Sequence, residues 1–462
     1  MTFQPTIESL ATHAVPDWFH DAKFGIFVHW SVSSIPAFAP PNKKGIGEVD
    51  LGNPESVAWM FKHTPYAEWY WNSINIDGSP AQQHHRATYG ADYAYDNFVP
   101  QFMQLARGCD VEAWAELFAR AGARYVVFVT KHHDGVLLWP SVHPNPHRQA
   151  WQAERDFVGE LTRAVRARGM RMGLYYSGGI DWTFHGLPID SLSSFLGAIP
   201  QSADYARYAD AHWRELIERY EPAVLWNDIG YPELAAPAQL FADYYNRIPD
   251  GVVNNRFMLG AGAGGQHHDF VTPEYAVLDR ILESKWESTR GIGGSFGFNR
   301  AEPEDHLLTA NEIVQMIADV TSKNGNLLLN VGPTANGLVP WAQASRLLAV
   351  GDWLRRNGEA IYETRPWRTA EGRTGDGGAV RFTQRRGYVY AIVLAPPAGN
   401  AVVLEGLQLA AATQVRVLGY AAPLCWQQRE AHVVVDLPGD MPTGPAYVLR
   451  LSQAPGSQGL GA

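Results

Sequence analysis

Ala223-Val224-Leu225-Trp226-Asn227-Asp228-Ile229-Gly230 is a short apolar rise that ends on an indole, an amide and an acid before glycine breaks it. A continuous apolar run bounded by turn signals predicts a strand buried on both faces, as parallel sheets require. Helical patterns flank it, so Asp228 falls where a strand meets its following loop. In a β/α barrel that carboxyl end is where chemistry is placed. Asp and Asn also open ordinary turns. This stretch alone therefore leaves a catalytic reading and a plain loop-start reading level.

Working outward, similar strand patterns recur. Lys23 to Trp30 (KFGIFVHW) ends in His29 and Trp30, and Ala123 to Thr130 (ARYVVFVT) runs into Lys131-His132-His133-Asp134-Gly135. Arg171 to Tyr176 precedes Ser177-Gly178-Gly179, and Gly251 to Arg256, Glu283 to Gly291 and Gly325 to Val331 are further strands. Helices are predicted over Val111 to Ala121, Glu154 to Arg168, Ala203 to Tyr220, Asn311 to Thr321 and Leu338 to Arg356. This alternation predicts a parallel α/β architecture. No GxGxxG follows a first strand, which disfavours a dinucleotide fold. Polar and aromatic strand ends favour a barrel, and a count of about seven strands makes it irregular. The class expected over residues 1–365 is thus an irregular (β/α)8-like TIM barrel.

Two regions depart from this rhythm. Residues 31–110 are irregular, rich in Pro, Asn, Tyr and Trp, and hold Tyr66-Ala67-Glu68-Trp69-Tyr70. Such an excursion is functional or carries small elements of its own. From Pro366, short alternating segments such as Tyr388-Val-Tyr-Ala-Ile-Val and His432-Val-Val-Val-Asp-Leu are separated by Gly, Pro and Asn turns. That texture predicts a small antiparallel β-sandwich over 366–452. The stretch AGAGGQHH reads as a flexible loop, and residues 453–462 as a disordered tail.

The bulk numbers narrow the partners. At 462 residues, one large and one smaller domain are expected. The net charge is −10, from 47 acidic against 37 basic residues, and no basic run occurs, which argues against nucleic acid and anionic membrane. No apolar run approaches the ~20 residues needed to span a bilayer. The amino terminus shows no basic start and no apolar h-region, so a cytoplasmic location is expected. Cys109 and Cys425 lie far apart, which argues against a disulfide framework or a Cys-based metal site. Sixteen Trp and twenty Tyr incline the reading towards sugar binding. The oligomeric state is left open, a homo-oligomer included.

The strand ends collect His29, His132, His133, Tyr175, Trp226, Asp228 and Arg256, with Glu68 and Glu274 added from loops. Two chemistries suit that set. Three histidines and a carboxylate could hold a metal, as in barrel hydrolases. Adjacent His132 and His133 on an extended strand would point to opposite faces, however, and no HxH or HExxH is present. The other reading is a glycosidase in which one carboxylate attacks and another delivers a proton, while neutral His, Tyr and Trp grip a sugar. It accounts for the Trp density and needs neither metal nor cofactor.

Taken in order, KFGIFVHW, YAEWYWNS, TKHHDG, GLYYSGGIDW, VLWNDIG, DFVTPEY, ESTRGIGGSFGFN and KNGNLLLNVGP resemble the α-L-fucosidases of glycoside hydrolase family 29. The likeness spans roughly Trp18 to Tyr362, and the sandwich fits the family's usual second domain. It implies a retaining exo-glycosidase acting on a fucosylated glycan. By motif, Asp228 matches the family's nucleophile and Glu274 its general acid/base. His29, Glu68, Trp69, His132, His133, Tyr175, Trp226 and Arg256 match positions that hold the fucose ring, and Tyr66 joins them from the same motif as Glu68. Trp286 and Phe296 are candidates for an apolar wall against the C5 methyl of fucose. Asp228 must be ionised, and neighbouring donors are expected to lower its pKa. Glu274 must start protonated, which calls for burial or a nearby carboxylate. Ser31 stands where Gly is usual and is expected to alter the wall beside the sugar. The Gly-rich stretch Leu259–Gln266 lengthens the path from Arg256 to Glu274.

Overall fold

The computed structural model describes residues 2–452 apart from 47–48, 187, 259–266, 398, 440 and 442–443. The Gly-rich stretch Leu259–Gln266 and the tail singled out above lie outside the described residues.

Seven parallel strands form the first sheet: β1 (Phe24–Val28), β2 (Tyr125–Lys131), β3 (Arg171–Ser177), β4 (Val224–Asp228), β5 (Val252–Val253), β6 (Trp286–Gly291) and β7 (Gly325–Val331). Their order is β5-β4-β3-β2-β1-β7-β6. The gap between β5 and β6 is spanned by the segment from Asp269 to Tyr275, which makes only isolated parallel bridges, Asn254 to Phe270, Val271 to Trp286 and Glu274 to Thr289. This is a TIM-like barrel in which that segment takes the eighth strand's place.

Period-2 alternation decides which side chains enter the ring. In β4, Val224 and Trp226 join Phe27, Tyr125, Val127 and Tyr175 in the barrel's inner cluster, whereas Leu225 belongs to the outer layer under the helices. Asp228, two residues beyond Trp226, therefore lies on the inner parity at the open end. Gly25 leaves space for this filling, because a Cβ there would sit 2.5 Å from the Tyr125 ring. The outer layer is covered by helices at Val111–Arg120, Phe157–Ala167, Ala203–Tyr220, Pro237–Arg247, Ala310–Ser322 and Trp341–Asn357. Pro237–Arg247 was not foreseen from the sequence. Phe157–Ala167 starts later than its periodicity suggests because the Asp156 side chain caps it on Gly159 N. Among the described residues, no helix is long and apolar enough to cross a membrane.

The excursion over 31–110 does carry small elements, with helices at Pro54–Lys62, Tyr70–Ile74, Pro80–Tyr89 and Phe98–Ala106. Beyond the barrel, β8 (Arg365–Arg373), β9 (Ala379–Arg385), β10 (Tyr388–Val393), β11 (Ala401–Glu405), β12 (Val415–Val417), β13 (Trp426–Arg429), β14 (His432–Asp436) and β15 (Tyr447–Ser452) build two antiparallel sheets. Their orders are β12-β15-β10-β9-β8 and β11-β14-β13. Strands β8 and β13 escaped the sequence reading because both are largely polar and part-exposed. One face of β10 fills the sandwich through Val389 and Ala391, and the other sends Tyr390 and Ile392 into the barrel's outer layer.

Candidate active site

A cavity of about 330 Å³ opens at the carboxyl end of the barrel strands. Asp228 lies in it as the last residue of β4. Tyr175, from the adjacent β3, donates its phenol to Asp228 Oδ2 at 2.9 Å. Arg256 Nη1 donates to Asp228 Oδ1 at 2.9 Å, and Arg256 Nη2 donates to Glu274 Oε2 at 3.0 Å. One guanidinium thus bridges both carboxylates. It is held by Thr272, whose Oγ1 accepts from Nε at 2.8 Å, and it lies 4.7 Å above the centre of the Trp226 ring. Glu274 Oε1 accepts the Tyr66 phenol at 2.6 Å. Contrary to the sequence expectation, the Asp228 carboxyl is pushed above its ordinary range: burial outweighs the lowering by Arg256, and the Glu274 charge adds to it.

The histidines are fixed by their second nitrogens. His29 Nδ1 pairs with Asn330 Oδ1 at 2.7 Å, and Asn330 Nδ2 donates to Phe296 O, so His29 holds its proton on Nδ1 and its Nε2 is an acceptor. Ser177 donates its one hydroxyl hydrogen to Ile180 O, so its oxygen accepts from His133 Nδ1 at 2.6 Å. His133 Nε2 is likewise an acceptor. Burial pulls His29 down to about 3 and holds His132 and His133 well below the ordinary imidazole value, so all three are neutral. The expectation that His132 and His133 diverge fails. Strand β2 ends at Lys131 after a register shift, the two histidines belong to the turn that follows, and both line the cavity with ring centres 4.0 Å apart. His132 lies parallel to Tyr175 at 5.7 Å.

Tyr66, Glu68 and Trp69 arrive from the excursion, which folds back over the barrel mouth. Glu68 accepts Gly297 N at 2.7 Å, and burial pushes its carboxyl up to about 7 against that bond. The rings of Trp69 and His133 are nearly perpendicular, with centres 5.2 Å apart. Of the two aromatic candidates for the apolar wall, Phe296 lines the cavity and Trp286 does not. Trp286 has the outward parity of β6: its indole lies in the layer between sheet and helices and donates to Lys323 O at 2.8 Å. Ser31 pairs its hydroxyl with that of Ser33, at 3.0 Å, and is not among the lining residues.

Sequence reasoning missed Glu287, the inward neighbour of Trp286. Its carboxyl accepts the Trp226 indole N–H at 3.0 Å and the Tyr125 phenol, and burial pushes it up to about 7. It fixes the ring beneath Arg256, and the sequence carried no signal for it, because nothing local told which parity of β6 faces inward. Among the described residues, one set of potential metal ligands has mutually close donor atoms: His13, His267 and Asp269, outside the cavity. His13 already engages Asp269 through Nδ1 and Pro249 O through Nε2.

The model of the family described as alpha-L-fucosidase matches residues 1–359, and that of the alpha-L-fucosidase C-terminal domain matches residues 377–452. The chain belongs to the α-L-fucosidase family. It is a glycoside hydrolase. It is 33% identical over 452 residues to the tissue α-L-fucosidase of Mus musculus, covering 96% of this chain and 92% of that one. It is also similar to the α-fucosidase of Thermotoga maritima, solved in complex with fucose, at 40% identity and a TM-score of 0.87 over 97% of this chain and 100% of that chain. The same Thermotoga enzyme in complex with a mechanism-based inhibitor matches with a TM-score of 0.88 and 40% identity, over 98% of this chain and 100% of that chain.

Proposed function

We propose that this α-L-fucosidase is a retaining, exo-acting enzyme that removes terminal α-L-fucosyl residues by double displacement. The observation that carries the reading is the sharing of one guanidinium by Asp228 and Glu274 inside the cavity. Two carboxylates that close suit the ~5–5.5 Å spacing of retaining enzymes better than the wider gap that admits a water. Asp228 attacks the anomeric carbon and forms the fucosyl ester as the bond to the leaving oxygen breaks. Tyr175 and Arg256 keep it ionised and aimed. Glu274 gives its proton to the leaving oxygen, exchanging a contact with Tyr66 or Arg256 for that oxygen. As the base of the second step it then takes a proton from water, which attacks the anomeric carbon, breaks its bond to the Asp228 carboxylate oxygen and frees Asp228. The acceptor nitrogens of His29 and His133 suit sugar hydroxyl donors, and Phe296 and Phe27 give the ring an apolar wall.

Glu68 is the rival for the acid/base role, since burial pushes its carboxyl up to about 7. Its bond from Gly297 N holds it in place and favours a hydroxyl-gripping role instead. Following the hydrolysis of an aryl α-L-fucoside by NMR tests the mechanism. Release of α-L-fucose as the first anomer, and a fluorofucosyl adduct on the Asp228 peptide, are expected. First release of the β-anomer would overturn it.

A further inference from the structure

Beyond the sugar-sized inner end, the cavity continues into an apolar vestibule built by two short helices from different loops. Pro54–Lys62 contributes Val57, Met60 and Phe61, spaced i, i+3 and i+4 on one face, and Leu192–Leu196 contributes Leu192 and Phe195. The helices meet through Phe61 and Phe195, whose ring centres are 5.9 Å apart. Leu51 lines the outer edge and is 63% exposed, and Leu192 is 38% exposed, both large apolar side chains open to water. Among the described lining residues, the charged ones are Glu68, Asp228, Arg256 and Glu274, all belonging to the inner end. Among the described residues of the two helices and their immediate neighbours in sequence, Thr64 is the one hydroxyl residue that lines the cavity.

We infer that this vestibule receives the leaving group, and that the preferred substrate carries α-L-fucose on a hydrophobic aglycone rather than on a polar sugar. The inference rests on the exo-fucosidase reading. Whatever is bonded to the anomeric oxygen beside Glu274 must leave through the mouth, so the vestibule's occupant is set by continuity with the site. A sugar there would bring several hydroxyls, and the walls offer them few hydrogen-bond partners; burying polar groups unpaired is unfavourable. An alkyl or aryl aglycone would instead cover exposed Leu51 and Leu192 and gain on every methylene buried. Apolar patches of this kind on a protein surface mark binding sites.

The test compares methyl and hexyl α-L-fucosides below the aggregation limit of the latter, with a fucosyl-galactose disaccharide as the polar aglycone. The two alkanols are of nearly equal acidity, so bond cleavage itself discriminates little between them. The expected kcat/KM for hexyl exceeds that for methyl by about tenfold or more, since each buried methylene is worth about fourfold, and exceeds that for the disaccharide as well. In Leu192→Ser and Phe195→Ser the hexyl-to-methyl ratio should fall towards unity, with the methyl fucoside reporting whether each variant is folded and active. Equal values for hexyl and methyl, preference for the disaccharide, or a ratio untouched in both variants would overturn the inference while leaving the fucosidase reading intact. Failure to release fucose from any of the three would instead overturn that reading, and the inference with it.

Discussion

Asp228 and Glu274 are joined through a single side chain, with Arg256 Nη1 2.9 Å from the first carboxylate and Nη2 3.0 Å from the second. One cation thus offsets the charge of two neighbouring acids, and it orients both. The burial that surrounds them still leaves Asp228 above its ordinary range.

Replacing that cation by Arg256→Gln should move the acid limb of the kcat/KM profile to higher pH. The sign follows from the groups present. Arg256 lowers the pKa of Asp228, and the nucleophile must be ionised, so activity is lost as pH falls through that pKa. Without the guanidinium that pKa rises, and the limb should shift to higher pH. An unmoved or downshifted limb would show that Asp228 does not set it.

Asp228→Gly should cost several powers of ten in rate on aryl α-L-fucosides, because the covalent route is closed. The fold should survive, since Asp228 ends its strand and its partners are side chains of the site and its own neighbour Ile229 N. Azide should then restore turnover from the freed face and give β-L-fucosyl azide. Near-normal activity in the glycine variant would exclude Asp228 as nucleophile.

Glu274→Ala and Glu68→Ala separate the two candidate acids. Losing the acid should slow a natural fucosyl disaccharide by about 10²- to 10⁴-fold while a nitrophenyl fucoside suffers far less, because only the poor leaving group needs protonation. Losing a hydroxyl contact slows both substrates alike. A leaving-group-dependent loss in the Glu68 variant alone would reverse the assignment.

Lys23 is a cation at a cost. It is fully buried, its Nζ finds no hydrogen-bond partner among the described residues, and burial pulls it down to about 7, with Arg365 adding to the effect. In the unfolded chain it stays protonated to about pH 10.4. The wild type is therefore penalised fully below pH 7, and the penalty fades as pH rises from 7 towards 10. Lys23→Met should raise stability by a few kcal/mol at pH 6.5, and the gain in Tm should shrink markedly at pH 9.5. A gain that does not depend on pH would mean that packing, and not charge, is responsible.

Deleting the C-terminal sandwich should harm the barrel without removing a reacting group. Ile392, Val448 and Ala446 pack into the barrel's outer layer, Trp353 Nε1 donates to Ala446 O at 3.0 Å, and among the described residues none of the sandwich lines the cavity. A chain ending near residue 365 should aggregate or melt lower, while the kcat of whatever remains folded changes little. Complete loss of activity in a well-folded truncated barrel would refute this.

What the sequence determined by itself was local. Period and punctuation made Ala223–Gly230 a buried strand, and the parity along it put Trp226 and Asp228 on one face. Repetition of that pattern at Lys23–Trp30, Ala123–Thr130 and Arg171–Tyr176 then implied a ring with its polar ends together. The motifs added the family, because their order survives where spacing does not. Other features depended on contacts between segments far apart in the chain. Trp286 and Glu287 are neighbours, yet the sheet turns one towards the helices and the other beneath Trp226, and no local pattern told which parity faced inward. His132 and His133 share the cavity because β2 ends at Lys131 with a register shift, which alternation alone cannot register. Tyr66 reaches Glu274 across 208 residues of chain, and Phe195 meets Phe61 of the helix at Pro54–Lys62 only because two loops fold over the same mouth. The desolvation that raises Asp228 is likewise a property of the closed site and not of any stretch of sequence.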